Sequence, residues 1–142
     1  MHTVKRLLDS KSGGVVTIAP DASVFTALEL MAERDIGAVV VVHDGRVVGI
    51  LSERDYARKV ILHNKSSREI TVDEIMTDRV LYVGPTHTVE ECMTLMTDKR
   101  IRHLPVMDGD RLIGVLSIGD LVKATIDDRD FTIRQLETYI AS

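Results

Sequence analysis

Two short segments of the sequence share one pattern and lie 65 residues apart: Gly49-Ile50-Leu51-Ser52-Glu53-Arg54-Asp55 and Gly114-Val115-Leu116-Ser117-Ile118-Gly119-Asp120. In each segment an apolar stretch ends at a serine, and an aspartate follows three residues later. A serine followed at the third position by an acid is typical of a helix start, because the serine caps free backbone N–H groups and the acid reaches back. The pattern therefore predicts, twice, a strand that passes directly into a helix.

The two segments belong to a longer internal repeat. Residues 15–61 align with residues 80–126 without a gap, and 13 of the 47 pairs are identical. Chance would give roughly three identities, so the repeat is a duplication rather than a similarity of composition.

Each copy has the pattern β-α-β-β-α, which predicts an α/β (α+β) fold made of two pseudo-symmetric repeats. Short strands are predicted over 15–19 and 80–84, each stopped by a proline. Apolar residues at helical spacing follow each strand and predict a helix with one buried stripe. The members of these stripes are Val24, Ala27, Leu28 and Met31 in the first copy, and Val89, Cys92, Met93 and Met96 in the second. Hairpins are predicted over 38–51 and 103–116, around His43-Asp44-Gly45 and Asp108-Gly109-Asp110.

The boundaries predicted from this pattern are a helix and polar loop over 1–14, a first repeat over 15–63, a connector over 64–73, a second repeat over 74–126 and a C-terminal helix over 127–142. The N-terminal helix is expected over 3–8 and the loop over 9–14. The C-terminal helix carries Ile133, Leu136 and Ile140 at helical spacing, so its apolar stripe needs another surface. That surface could be the N-terminal helix or a second subunit.

The composition and charge of the chain exclude several classes of protein. The chain has 142 residues, 44% of them hydrophobic and 28% charged, which is typical of a globular protein. No apolar run approaches the roughly 20 residues of a membrane span, no apolar signal core follows the N-terminus, and the single cysteine cannot form an internal disulfide. We therefore expect a cytoplasmic protein. The net charge of −4 and the low aromatic content argue against nucleic-acid binding.

At this point the sequence resembles a known family. Besides the two Gly-apolar-Leu-Ser-x-x-Asp segments, it contains Glu74-Ile75-Met76-Thr77 and Arg102-His103-Leu104-Pro105-Val106, which are typical of paired cystathionine β-synthase (CBS) domains, also called a Bateman module. The resemblance covers about residues 15–126 and is to the small stand-alone bacterial type. It implies a non-enzymatic energy or metabolite sensor that binds AMP, ADP, ATP, NAD(H) or S-adenosylmethionine in clefts between the two repeats. It also implies a homodimer and an unidentified downstream protein.

The resemblance further implies a set of nucleotide-binding residues. Asp55 and Asp120 would accept the ribose hydroxyls, and the helix starts at Ser52 and Ser117 suit phosphate. Each cleft would combine parts of both repeats. The Asp120 site would draw on Thr17, Ile18, Ile36 and Gly37, and the Asp55 site on Val83, Ile101 and Arg102. Ile18, Ile50, Val83 and Val115 could sandwich an adenine or could simply belong to the core, and the sequence does not separate these interpretations.

Charge balance is expected to differ between the two sites. Arg54 can offset the acid of the first site, whereas Ile118 and Gly119 stand at the corresponding positions of the second. The second site should therefore bind phosphate less strongly or take a cation from elsewhere, with Arg102 as the candidate. Arg58 and Lys59, one turn on, could also offset the acid of the first site, but a solvated helix face is the favoured interpretation for both.

Several alternatives stay open. The chain could be an interaction domain without a small-molecule ligand, a nucleotide hydrolase, or, least in keeping with its acidity, a nucleic-acid binder that uses Lys99, Arg100 and Arg102. No catalytic residue and no metal site are expected. Cys92 lies on an apolar stripe, the histidines lack metal-ligand spacing, and His103 is expected to be a structural histidine rather than a ligand or pH switch.

Overall fold

The computed structural model of the protein describes residues 2–11 and 14–141. The chain forms two compact units. We call residues 14–81 the repeat-one unit, and residues 82–142 together with the N-terminal segment 1–13 the repeat-two unit.

The elements follow the predicted order with revised bounds. The helices are α1 (Val4–Ser10), α2 (Val24–Arg34), α3 (Glu53–Tyr56), α4 (Val72–Ile75), α5 (Val89–Lys99) and α6 (Ile118–Ala141). A π-helical turn (Ala57–Ile61) continues α3. The strands are β1 (Thr17–Ile18), β2 (Ala38–His43), β3 (Arg46–Ser52), β4 (His103–Asp108) and β5 (Arg111–Ser117). The mixed α+β architecture with two related halves is confirmed.

Both predicted hairpins form, and the two copies match in detail. β2 pairs antiparallel with β3, and β4 pairs antiparallel with β5. Each pair carries a register shift at the corresponding place, between Val41 and Val42 and between Val106 and Met107. Asp44 and Gly45 both adopt positive φ, as the turn between the strands requires.

The first strand of each repeat is shorter than predicted. β1 pairs with β2 in parallel over only two residues, and the segment 80–84 makes a single parallel bridge, Val83 with Val106. Pro105 accounts for the weaker pairing in the second copy. It occupies the position of Val40 and has no N–H to donate to a neighbouring strand. The prediction of a strand over 80–84 was therefore wrong.

Each unit buries its own core. The predicted helical stripes lie in these cores: Val24, Ala27 and Met31 are buried in the repeat-one unit, as are Val89, Cys92 and Met96 in the repeat-two unit. Leu28 and Met93 pack at the core margins. Strands β2 and β4 contribute runs of buried residues rather than alternating ones, as their near-continuous apolar sequences indicate.

The N-terminal helix α1 is the structural counterpart of α4. In the repeat-one unit, the α4 residue Val72 donates its N–H to Ala22 and Val24 donates to Ile70. In the repeat-two unit, the α1 residue Val4 donates its N–H to His87 and Val89 donates to His2. Equivalent residues of α1 and α4, such as Val4 and Val72, lie 68 positions apart, whereas those of the repeats lie 65 apart. The helix that precedes each repeat in the sequence thus packs with the other repeat.

Two glycines let these helices approach the hairpins closely. A Cβ atom on Gly49 of β3 would lie 2.5 Å from the Met76 sulfur, and one on Gly114 of β5 would lie 2.5 Å from Leu8 Cδ2. Both distances are far inside van der Waals contact, so a side chain at either glycine would displace the segment packed over it.

Three segments differ from their predicted form. Asp9 and Ser10 belong to α1 rather than to the loop expected over 9–14, of which Ser12 and Gly13 lie outside the described residues. The expected C-terminal helix is continuous with the helix that starts after Ser117, giving the 24-residue α6. The polar connector is anchored: Phe25 donates its N–H to Ser67, and the Arg68 guanidinium lies 4.1 Å from the centre of the Phe25 ring.

We expect Gly114→Ala to loosen α1, because the new methyl group must displace Leu8. The loss in the free energy of unfolding should be about 1–3 kcal/mol, typical of overpacking, and amide hydrogen exchange in α1 should speed up more than in α5. Gly84→Ala is the matched control, since its Cβ would meet its nearest neighbour at an ordinary 3.6 Å. Equal effects of the two substitutions would contradict the proposed close packing.

Candidate functional site

Asp55 lies at the start of α3, where it closes a reciprocal capping arrangement. The Asp55 N–H donates to Ser52 Oγ at 3.1 Å, and Asp55 Oδ2 accepts from the Ser52 N–H at 3.0 Å and from the Ser52 hydroxyl at 3.1 Å. The carboxylate is thereby fixed at the junction of β3 and α3, and 17% of the side-chain surface stays exposed.

Asp120 repeats this arrangement at the start of α6. Its N–H donates to Ser117 Oγ at 3.1 Å, and its Oδ2 accepts from the Ser117 N–H at 2.8 Å. The side chain is 25% exposed. The capping role predicted for both Ser-x-x-Asp segments is confirmed, and the two carboxylates have equivalent surroundings in their respective units.

Each carboxylate is paired with a lysine. Lys59 Nζ lies 3.3 Å from Asp55 Oδ1 and donates to the Ile75 carbonyl at 2.9 Å. Lys11 Nζ donates to Asp120 Oδ2 at 2.8 Å and to the Val115 carbonyl at 2.9 Å. Of the two interpretations of Lys59, the favoured solvated helix face was wrong, because the lysine reaches the capping acid one turn before it and offsets its charge.

The cation beside Asp120 is also different from the expected one. Arg102 is exposed, and its carbonyl accepts the Ile118 N–H at 2.8 Å, as the Gly37 carbonyl accepts the Glu53 N–H at 3.0 Å in the repeat-one unit. Lys11, from the segment after α1, pairs with the acid instead. Sequence reasoning missed Lys11 because it lies outside the 65-residue repeat. The signal available was the Thr-Val pair at 3–4 and again at 71–72, which relates α1 to α4.

Opposing influences act on the ionisation of Asp120. Burial favours the neutral form and is the largest single influence, but the Lys11 and Ser117 hydrogen bonds and the Lys11 charge together outweigh it. They hold the pKa of Asp120 below its usual value. The carboxylate is therefore fully ionised at neutral pH and available as a hydrogen-bond acceptor.

The remaining predicted residues of the repeat-one unit surround the hairpin. Ile18 lies in β1, Ile50 in β3, and both are half-buried, whereas Thr17 is exposed. Ile36 packs at the core margin and is followed by half-buried Gly37. Arg54 is exposed beside Asp55 in α3.

In the repeat-two unit the corresponding residues differ in how deeply they are buried. Val83 is only 3% exposed and belongs to the core. Ile101 packs at the core margin, and Val115 in β5 is half-buried, two residues before Ser117. Val83 and Val115 are the two apolar residues of this unit that were predicted to contact a base. Of these two, Val115 keeps accessible surface.

The surroundings of His103 and Cys92 do not favour the charged form of either side chain. Burial lowers the pKa of His103, and although the Asp120 charge opposes this, the positive charges of Lys11 and Arg102 reinforce it. Burial and the nearby Glu91 charge raise the pKa of the Cys92 thiol to about 11, so the thiolate nucleophile is scarcely populated at neutral pH.

The comparison with protein-family models decides the family. The CBS domain matches twice, over residues 6–62 and 72–127. The chain belongs to the CBS-domain family. The first match begins inside α1 and the second at the first residue of α4, so the matched regions include most of α1 and all of α4.

Similar proteins include the mitochondrial CBS domain-containing protein CBSX3 of Arabidopsis thaliana, 38% identical over 136 residues. That alignment covers 92% of this chain and 66% of the plant protein. A solved structure of a protein with CBS domains from Burkholderia ambifaria MC40-6 is 49% identical, with a TM-score of 0.87, and covers 89% of this chain and 96% of that one. A hexameric CBS-CP12 protein from bloom-forming cyanobacteria is 30% identical, with a TM-score of 0.76 over 85% of this chain and 66% of its own.

Two kinds of feature are absent from the described part of the chain, a membrane-spanning helix and a metal-binding cluster. Within residues 2–11 and 14–141, none of the helices combines the length and apolarity needed to cross a bilayer. The same residues hold no group of three or more His, Cys, Asp or Glu side chains able to bind a metal ion together.

The lowered pKa of His103 predicts a pH dependence of stability. The unfolded chain binds a proton at His103 near pH 6.5, whereas the folded chain resists it, so the free energy of unfolding should fall as the pH decreases below about 6.5. His103→Gln should flatten this dependence in urea unfolding between about pH 5 and 7. An equal slope in the wild type and His103→Gln would contradict this assignment.

Proposed function

We propose that this CBS-domain protein is a regulatory module without catalytic activity that binds adenine nucleotides, namely AMP, ADP, ATP or NAD(H), and so senses energy or metabolite state. One observation carries the proposal: two chemically equivalent carboxylates, Asp55 and Asp120, are fixed at strand–helix junctions and keep exposed surface. The ligand-binding character of the family is consistent with such a role for these acids.

The capping bonds leave each carboxylate with unused acceptor capacity. An ionised carboxylate offers about four lone-pair directions. Asp120 makes two contacts with its serine and lysine neighbours, and Asp55 makes three. Each carboxylate therefore has room for a further donor. Ribose presents two adjacent hydroxyl donors, which an acid accepts in the dinucleotide-binding folds. The same side chain can therefore cap a helix and receive a ribose.

The strands that lead to these acids supply apolar surface for a base. Ile50 and Val115 are half-buried and stand two residues before the capping serines. A purine placed against such side chains removes apolar area from water, which stabilises the complex without requiring a specific hydrogen bond. This support applies equally to each of the adenosine ligands, including S-adenosylmethionine, the alternative that the resemblance leaves open.

Self-association stays a prediction. The last turns of α6 expose the apolar side chains of Ile133, Leu136 and Ile140, and burying such a stripe on a second copy would be favourable. The cytoplasmic location and the downstream partner likewise stay predictions.

The proposed role of the carboxylates predicts the effect of Asp55→Ala and Asp55→Asn on ligand binding. Either change should remove a charge-assisted ribose contact worth about 1.5–3 kcal/mol. Asparagine keeps an acceptor for the Ser52 N–H, so Asp55→Asn should retain more of the wild-type stability. The measurement is isothermal titration with AMP and with NAD, accompanied by the melting temperature of each variant without ligand.

Three results would contradict the proposal. If AMP, ATP, NAD and S-adenosylmethionine all leave the melting temperature of the wild type unchanged, the module is not a nucleotide sensor. A ligand at 100 times its Kd should add about 2.7 kcal/mol of stability. If Asp55→Ala and Asp120→Ala both unfold the chain while the Asn variants bind nucleotide normally, the acids are helix caps only. Recovery of ADP from incubation with ATP would instead indicate hydrolysis.

A further inference from the structure

Two lysines from unrelated sequence positions form the same arrangement. Each ammonium group links a capping carboxylate to a main-chain carbonyl: Lys59 links Asp55 to the Ile75 carbonyl, and Lys11 links Asp120 to the Val115 carbonyl. The duplication does not explain this agreement. The residue 65 positions after Lys59 is Ala124, and Lys11 precedes the first repeat altogether.

The carbonyl groups that the two lysines satisfy are not equivalent, so they do not account for the shared pairing with an acid. In the repeat-one unit, the Ile50 carbonyl, equivalent to that of Val115, already accepts the Thr77 N–H at 2.9 Å. Helix α1 continues to Ser10, whereas α4 ends at Ile75, so Lys11 takes over the role of a backbone donor at Val115. Lys59 has no such role at Ile50, yet it also pairs with the acid. The shared feature is the neutralised carboxylate.

Neutralising the acid changes which ligands can lie beside it. An unpaired carboxylate at a partly buried position repels a phosphate, because the repulsion between two negative charges is poorly screened there. A lysine at hydrogen-bond distance cancels that charge. Its ammonium group has three N–H donors, and in Lys11 the bonds to Asp120 and the Val115 carbonyl occupy two of them. The third can bind a ligand oxygen. Both lysines also keep exposed surface of their own, 38% for Lys11 and 43% for Lys59.

We propose that Lys11 and Lys59 are the specificity-determining residues of the two sites. They make each site prefer nucleoside phosphates over uncharged or cationic adenosine compounds. The proposal rests on the proposed function, since it assigns the ligand charge at the same carboxylates. The aspartate selects the ribose, and the lysine beside it selects the phosphate.

The test compares AMP with adenosine on the full chain by isothermal titration at low ionic strength. Asp55→Asn disables the first site and thereby isolates the second. In that background Lys11→Met should weaken AMP binding about tenfold or more, as expected for loss of a charged hydrogen bond, and should change adenosine binding less than about twofold. Lys11→Arg should restore most of the preference for AMP. Lys59→Met in the Asp120→Asn background should behave in the same way.

Lys5→Met, on the exposed surface of α1, is the matched control and should leave both affinities unchanged. Equal weakening of AMP and adenosine by Lys11→Met would show that the lysine acts only through the fold and would overturn the inference. Unchanged or tighter AMP binding would overturn it too, because Lys11 would then be a competitor of the ligand. If the wild type binds neither compound, the proposed function itself fails, whereas binding of both without a lysine effect removes only this inference.

Discussion

The hydrogen bond from a serine amide to an aspartate three residues later is the interaction on which the site depends. It joins Ser52 to Asp55 and Ser117 to Asp120, at 3.0 and 2.8 Å. The bond fixes where a strand ends and a helix begins, and in the same geometry it holds a carboxylate at the surface of the junction. Fold and candidate site therefore share one constraint: the carboxylate that caps the helix start is also the proposed ribose acceptor.

The N-terminal helix links packing to charge in the repeat-two unit. Gly114 has no side chain, which lets Leu8 of α1 lie against β5. That contact places the end of α1 beside the β5–α6 junction, where Lys11 reaches both Asp120 and the Val115 carbonyl. A packing requirement in the strand thus determines the electrostatic state of an acid six residues later. The repeat-one unit reaches the same state by a different route, through Lys59 in the π-helical turn that follows α3.

The sequence predicts the features that depend on local pattern, and fails where the outcome depends on distant contacts. The hairpins, the apolar stripes and the two capped helix starts follow from spacing and turn residues, and all are present. The strand over 80–84 is not formed because Pro105, some twenty residues later, lacks the N–H that pairing needs. The ion pair of Lys11 could not be predicted, because it depends on the packing of α1 with the second repeat. Lys59 and Asp55 have the i,i+4 spacing of helical ion pairs, so the sequence allows their pairing, but it gives no reason to favour it over a solvated lysine.

The central claim is that each capping carboxylate is also a ribose acceptor. Its most direct test is carbon-13 NMR of the aspartate side-chain carboxyl groups in the full chain, titrated with AMP. Formation of the ribose bonds should shift the Asp55 and Asp120 carboxyl signals in a saturable way, while the signal of the exposed Asp110 stays in place. AMP binding that saturates without moving either signal would contradict the account, because the nucleotide would then lie elsewhere.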